Sequence, residues 1–131
     1  MKKRLLLLMA ACCLSAGVHA QQMQNAVIKF AVYSYHVGHF SKSHRPRRGA
    51  AFKFWNTGNA DLIIHDVDPL CGCLSVQWPR HPIPPGGSGY VTVIYEGRDQ
   101  LPHYFNKMVC VNTNSNTTKH VRLSLEGEMT E

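Results

Sequence analysis

Apolar runs in this chain are short. They are cut at close intervals by Gly, Pro, Asn and Asp, and no stretch sustains a period of 3.6 long enough for a helix. Within the runs, apolar and polar residues alternate, which is the pattern of strands with one buried face. In the run at residues 26–35, Ile28, Phe30 and Val32 share one face, while Val27, Ala31 and Tyr33 share the other. In 50–56, Ala50, Phe52 and Phe54 point one way and Lys53 and Trp55 the other. Further runs occupy 62–67, 74–78, 90–95, 105–111 and 120–126. Val91 and Val93 oppose Thr92 and Ile94, and Val121, Leu123 and Leu125 are expected inward.

The connections read as clearly. Asn56-Thr57-Gly58-Asn59 is a turn, because Gly and Asn tolerate positive φ. Asp68-Pro69 ends a run, since proline cannot donate to a ladder. Residues 79–89, rich in Pro and Gly, are expected as a surface connection. Residues 41–49 are expected as a loop that places Lys42, His44, Arg45, Arg47 and Arg48 around Pro46. That loop is either a solvated surface or a contact for anionic lipid or polysaccharide. Together these signals predict an all-β fold, an immunoglobulin-like sandwich of about seven strands. A small closed barrel satisfies the same pattern.

The N-terminus reads differently. Met1-Lys2-Lys3-Arg4 is cationic, an apolar run follows to about Val18, and Val18-His19-Ala20 presents small residues to a signal peptidase. That order is a cleavable signal peptide over 1–20, leaving a single domain over 21–131. The expected location is periplasmic or secreted. Lipidation at Cys12 is the alternative, on the loose lipobox Leu8-Met9-Ala10-Ala11-Cys12. Cleavage removes Lys2, Lys3 and Arg4, so the formal net charge falls from +6 by three. A nucleic-acid partner is not expected at that charge, and no transmembrane span is expected in the mature chain.

Cleavage also leaves Cys71, Cys73 and Cys110, an odd count for a disulfide-permissive compartment. Cys71-Gly72-Cys73 admits three readings. It is a structural disulfide, closed on itself or bridged to Cys110. It is a copper or zinc site joined by His65 and His81. Or it is a redox pair. If Val109 and Val111 face the core, alternation turns Cys110 outward, against a bridge between the sheets. Trp55 and Trp78 are expected to pack in the core or at an interface. Asp66 and Asp68 beside His65 are expected in a turn.

In order along the chain stand His36-Val37-Gly38-His39-Phe40, Phe52-Lys53-Phe54, Asn56-Thr57-Gly58 and Leu62-Ile63-Ile64. Cys71-Gly72-Cys73, Pro82-Ile83-Pro84-Pro85-Gly86, Phe105-Asn106-Lys107, Asn112 and Leu125-Glu126-Gly127 follow. This series resembles the bacterial domain of unknown function 1573 family over roughly residues 30–129. Leu70 and Leu74 stand where that family usually carries Ser and Thr, and Cys110 is an addition. The resemblance implies an immunoglobulin-like domain of the cell envelope, similar to modules that scaffold other proteins, with no established activity. The expected function is therefore a non-catalytic module for an envelope protein or surface polymer. Sheet edges and the Cys-Gly-Cys and Pro-Gly loops are its expected contact regions. The rival is a thiol site at Cys71 and Cys73. No cofactor is expected beyond the copper or zinc reading.

Overall fold

The computed structural model describes residues 23–131, so the leader, Cys12 and Ala20 lie outside the described residues. Eight strands form in chain order. They are β1 (Ile28–Phe30), β2 (Ser34–Ser41), β3 (Arg47–Asn56), β4 (Ile64–Pro69), β5 (Leu74–Gln77), β6 (Ser88–Glu96), β7 (Tyr104–Thr113) and β8 (His120–Thr130). A short 3-10 turn, Gly97–Asp99, joins β6 to β7. The first sheet has the order β1-β3-β6-β5 and the second β2-β8-β7-β4. Every pairing is antiparallel except β2 with β8. Two separate sheets make a sandwich of the expected immunoglobulin-like kind, and the closed barrel fails because each sheet keeps two edges.

The strand beyond the seven expected, β2, comes from a run that changes partners. Residues 26–35 do not form one strand. Ala31 still donates to Lys53 O of the first sheet at 2.9 Å, whereas Tyr33 O accepts from Ser124 of the second at 2.9 Å. The chain crosses between sheets at residues 31–33, and Val32, read on one face with Ile28 and Phe30, is 45% exposed while those two are buried. A two-residue period records which way a side chain points, not which sheet it belongs to. The basic segment is also shorter than expected, because Arg47 and Arg48 are strand residues paired with Glu96 and Tyr95. Asp66 and Asp68 likewise lie in β4 rather than in a turn.

Elsewhere alternation sets the core. Ala50, Phe52, Phe54, Val91, Val93, Val109, Val111, Val121, Leu123 and Leu125 are all buried between the sheets. At one end of this core the rings of Tyr95 and Phe105 stack with centroids 3.9 Å apart, and Phe40 meets both edge-on.

Each sheet edge carries a stop signal. β1 has three residues and β5 four. β2 is interrupted by a bulge between His36 and His39, where Gly38 adopts φ 80° and donates to His36 Nδ1 at 2.9 Å. β4 shifts register between Ile64 and Asp66, carries Asp66 and Asp68, and ends at Pro69. Bulges, charges, prolines and short strands all oppose edge-to-edge pairing.

Candidate functional site

The two ends of the sandwich are built from different chemistry. At one end Asn56 is wholly buried and uses its whole amide. Its Oδ1 accepts from the Val27 and Gly58 N–H groups at 3.3 and 3.0 Å. Its Nδ2 donates to the Ala60 and Ile83 carbonyls at 2.7 and 2.9 Å. That satisfies both donors and both acceptor lone pairs of the side chain. Gly58 is required beside it, because a Cβ there would lie 2.1 Å from the Asn25 carbonyl oxygen. The Pro-Gly connection is stitched into this end. Ile83 is 2% exposed and bridges to Leu62, and Gly86 donates to Asn56 O at 2.8 Å. The segment is the surface connection expected, with one exception: Ile83 alone turns inward, where burial of its side chain stabilises this end.

The Cys-Gly-Cys segment lies toward the opposite end, where the chain passes from β4, an edge of the second sheet, to β5, an edge of the first. Cys71 and Cys73 are joined to each other by a disulfide. The Leu74 N–H donates to Cys71 O at 3.2 Å and closes the turn, and Glu96 donates to Cys73 O at 2.7 Å. Cys73 is 3% exposed and belongs to the core, while Cys71 is half-buried. This asymmetry decides what the sulfurs can do. A thiolate attacking the reachable Cys71 would expel Cys73 as a buried thiolate, a poor leaving group in apolar surroundings. Attack at Cys73 needs access that its burial denies. The geometry suits a covalent clasp at the sheet crossover better than an exchanging pair.

Cys110 is free and takes no part in the clasp. Val109 and Val111 are fully buried on either side of it, so it projects from the outer face of the second sheet. There it pairs in register with Asp68 and Arg122, and its thiol donates to Asn112 Oδ1 at 3.4 Å. The bridge to Cys110 that the sequence left open does not form. The copper or zinc reading also fails to assemble. His65 and His81 are exposed, and no group of three His, Cys, Asp or Glu side chains capable of holding a metal occurs among the described residues. Both sulfurs of the motif are already spent on one another, which removes the thiolates such a site needs.

The outer face of the first sheet presents a different surface. β3 and β6 place Lys53 opposite Tyr90 and Trp55 opposite Ser88. The Lys53 ammonium lies over both rings, 5.2 Å from that of Trp55 and 5.9 Å from that of Tyr90. Tyr90 is 52% exposed. Beside them runs a shallow trough of about 400 Å³ floored by Gly49, Ala51, Thr92 and Ile94 and rimmed by Arg47 and Arg48. The trough exists because β3 carries Gly and Ala where its inward face carries Phe. Trp78 packs against the core as expected, with the Arg80 guanidinium 3.7 Å above its ring.

Two phenols have displaced acidity. Burial pushes Tyr95 above the usual tyrosine value, and its hydroxyl has no hydrogen-bond partner among the described residues. Tyr104 is raised by its hydrogen bond to the Glu126 carboxylate across the outer face of the second sheet.

The model of a family described as proteins of unknown function, DUF1573, matches residues 28–129. The chain belongs to this family. A search of the curated proteins finds no match for this DUF1573 chain. Among solved structures, a protein of unknown function from Porphyromonas gingivalis W83 is 20% identical with a TM-score of 0.67. The match covers 80% of this chain and 47% of that one, so the chain spans about half its length. The ASH / PapD-like domain 7 of human CEP192 is 11% identical with a TM-score of 0.59, over 82% of this chain and 87% of that one. The YadV chaperone is 13% identical with a TM-score of 0.57, over 79% of this chain and 52% of that one. At these identities the likeness is one of fold. No described helix is long and apolar enough to cross a membrane.

Proposed function

We propose that this DUF1573 protein is an exported, non-catalytic module that binds a protein or surface polymer of the cell envelope through the outer face of its first sheet. One observation carries the reading. Trp55, Tyr90 and Lys53 stand together on a rigid, fully registered sheet beside the trough at Gly49 and Ala51. Aromatic and arginine side chains over a firm scaffold are the residue types that anchor interfaces. The likeness in fold to a chaperone and to a PapD-like domain supports a protein partner.

The test is crosslinking and co-purification from envelope fractions. The unmodified protein is expected to retain a partner. Ala51→Arg, which fills the trough, and the pair Trp55→Ala with Tyr90→Ala are expected to release it without moving the unfolding midpoint. A partner retained by both variants, or a protein that stays alone under gentle crosslinking, overturns the proposal. Export is proposed with cleavage after Ala20. An intact mass carrying diacylglycerol on Cys12 would replace that with a tethered lipoprotein.

A further inference from the structure

The end of the sandwich beside the clasp carries a second surface, formed by two links. One is the remnant of the basic loop between β2 and β3. The other follows Gly97–Asp99 and leads into β7. Between them lies a cleft of about 550 Å³ lined by Lys42, Ser43, Arg98, Leu101, Pro102 and Glu131. Lys42 ties the two links together by donating from Nζ to Gln100 O at 2.6 Å. Leu101 stands out at 79% exposed, the highest exposure of any large hydrophobic residue described.

The charges around this leucine differ in how free they are. Arg47 is paired with Glu96 at 2.8 Å. Arg48 is held by the Arg45 and Arg47 carbonyls at 2.9 and 3.0 Å and lies 4.9 Å from the centre of the Phe40 ring. Arg45 and Arg98 are exposed and enter no ion pair among the described residues, and His44 and His103 are exposed beside them. Arg45 reaches its position through a left-handed backbone, φ 57°, which is uncommon for a residue with a side chain. The opposing carboxylates are Asp99 and Glu131. A single exposed leucine means nothing by itself. Here it caps a cleft where Lys42 and Arg98 outnumber the one lining carboxylate, Glu131, and whose wall, Leu101 with Pro102, is apolar.

We propose that this end docks on an anionic phospholipid surface. A headgroup phosphate would sit between Lys42 and Arg98, and Leu101 would enter the acyl boundary. An apolar apex beside a surplus of cations is the chemistry of interfacial attachment. An acidic polysaccharide or peptide would use the cations and leave Leu101 without a role, so the leucine favours the bilayer. The assignment is independent of the sheet-face reading, because Trp55, Tyr90 and Ala51 take no part in it.

Co-sedimentation with vesicles tests it. The purified full chain is mixed with phosphatidylcholine vesicles or with vesicles also containing phosphatidylglycerol. Unmodified protein, Arg98→Gln and Leu101→Ser are compared, so that any contribution of residues 1–22 is common to all three. Both positions are exposed, and unchanged unfolding midpoints confirm that the variants fold. Binding is expected to require phosphatidylglycerol and to fall with salt. Arg98→Gln is expected to weaken it about fivefold, and Leu101→Ser roughly tenfold. Equal binding to both vesicle types overturns the proposal. So does salt-sensitive binding that Leu101→Ser leaves untouched, the behaviour of a simple polyanion site. Ala51→Arg is expected to leave vesicle binding unchanged, which separates this surface from the proposed protein-binding face.

Discussion

The two ends of the sandwich solve the same problem, joining strands of two sheets, by opposite means. The end around Asn56 uses hydrogen bonds. One buried amide holds four backbone groups from three segments, and no capacity is left over. The end around Cys71 and Cys73 uses a covalent bond across two residues, and it leaves the Tyr95 hydroxyl buried without a partner. A polar network that is complete is expensive to disturb, because removing its centre strands most of the groups it satisfied. A small covalent ring restricts little of the unfolded chain. The first end therefore determines stability, while the second tolerates exposed residues such as Arg45, Arg98 and Leu101.

Asn56→Ala should break this comparison most severely. It removes the partner of the Val27 and Gly58 N–H groups and of the Ala60 carbonyl, all part-buried, while Ile83 O keeps the Leu62 N–H, and a loss of about 3 kcal/mol is expected. Urea unfolding measures it, and a loss below that of the cysteine variant next described would reverse the ranking of the two ends. Replacing Cys71 and Cys73 together by Ala should cost less, about 1.5 kcal/mol from the loop-closure entropy of so short a ring. Thiol titration of the unmodified protein sharpens the same point. One reactive thiol, Cys110, is expected for the described residues without denaturant, and two more only after unfolding in a reductant.

Tyr95→Phe carries the opposite sign. It removes the unpaired hydroxyl and keeps the stack on Phe105, so stabilisation of up to about 1 kcal/mol is expected, read as a raised melting temperature. Its pH dependence follows. Burial raises the folded phenol above its ordinary value near 10. The stability this group contributes is complete below that pH. It is lost as pH climbs above it, because the unfolded chain ionises there while folded Tyr95 ionises only at higher pH. Stability of the Phe variant should decline less steeply above pH 10 than that of the parent. Cys110→Ala, outside both ends, should change stability by no more than about 0.5 kcal/mol.

Much of this was readable from side-chain alternation. The inward sets on β3, β6, β7 and β8 follow it residue by residue, and the outward turn of Cys110 follows from Val109 and Val111. The outward direction of Lys53 and Trp55 was legible too. That they form one surface with Tyr90 was not, because it depends on the β3–β6 register. The break at residues 31–33 was hidden for a related reason, since the run keeps its alternation while exchanging sheets. Ile83 was masked by the prolines and glycines around it, whose composition speaks for a loop but not for where one of its side chains goes. Pairing of Cys71 with Cys73 rather than Cys110 required the faces of two strands to be known. The cleft at Leu101 joins links far apart in sequence, and its residues carry no motif.

The parallel pairing of β2 with β8 has a kinetic consequence. Ser34 lies across from Ser124, and the Ser41 hydroxyl donates to Glu131 O, contacts spanning 90 residues. The second sheet is therefore missing its first member until β8 has emerged, and the entropy of closing so long a loop falls on that step. Such topology places folding in the millisecond-to-second range typical of sandwiches rather than the microseconds of helical bundles. A chain that cannot commit to its native state before its last strand is present stays threadable for longer, the condition under which an unfolded polypeptide can be passed through a narrow pore.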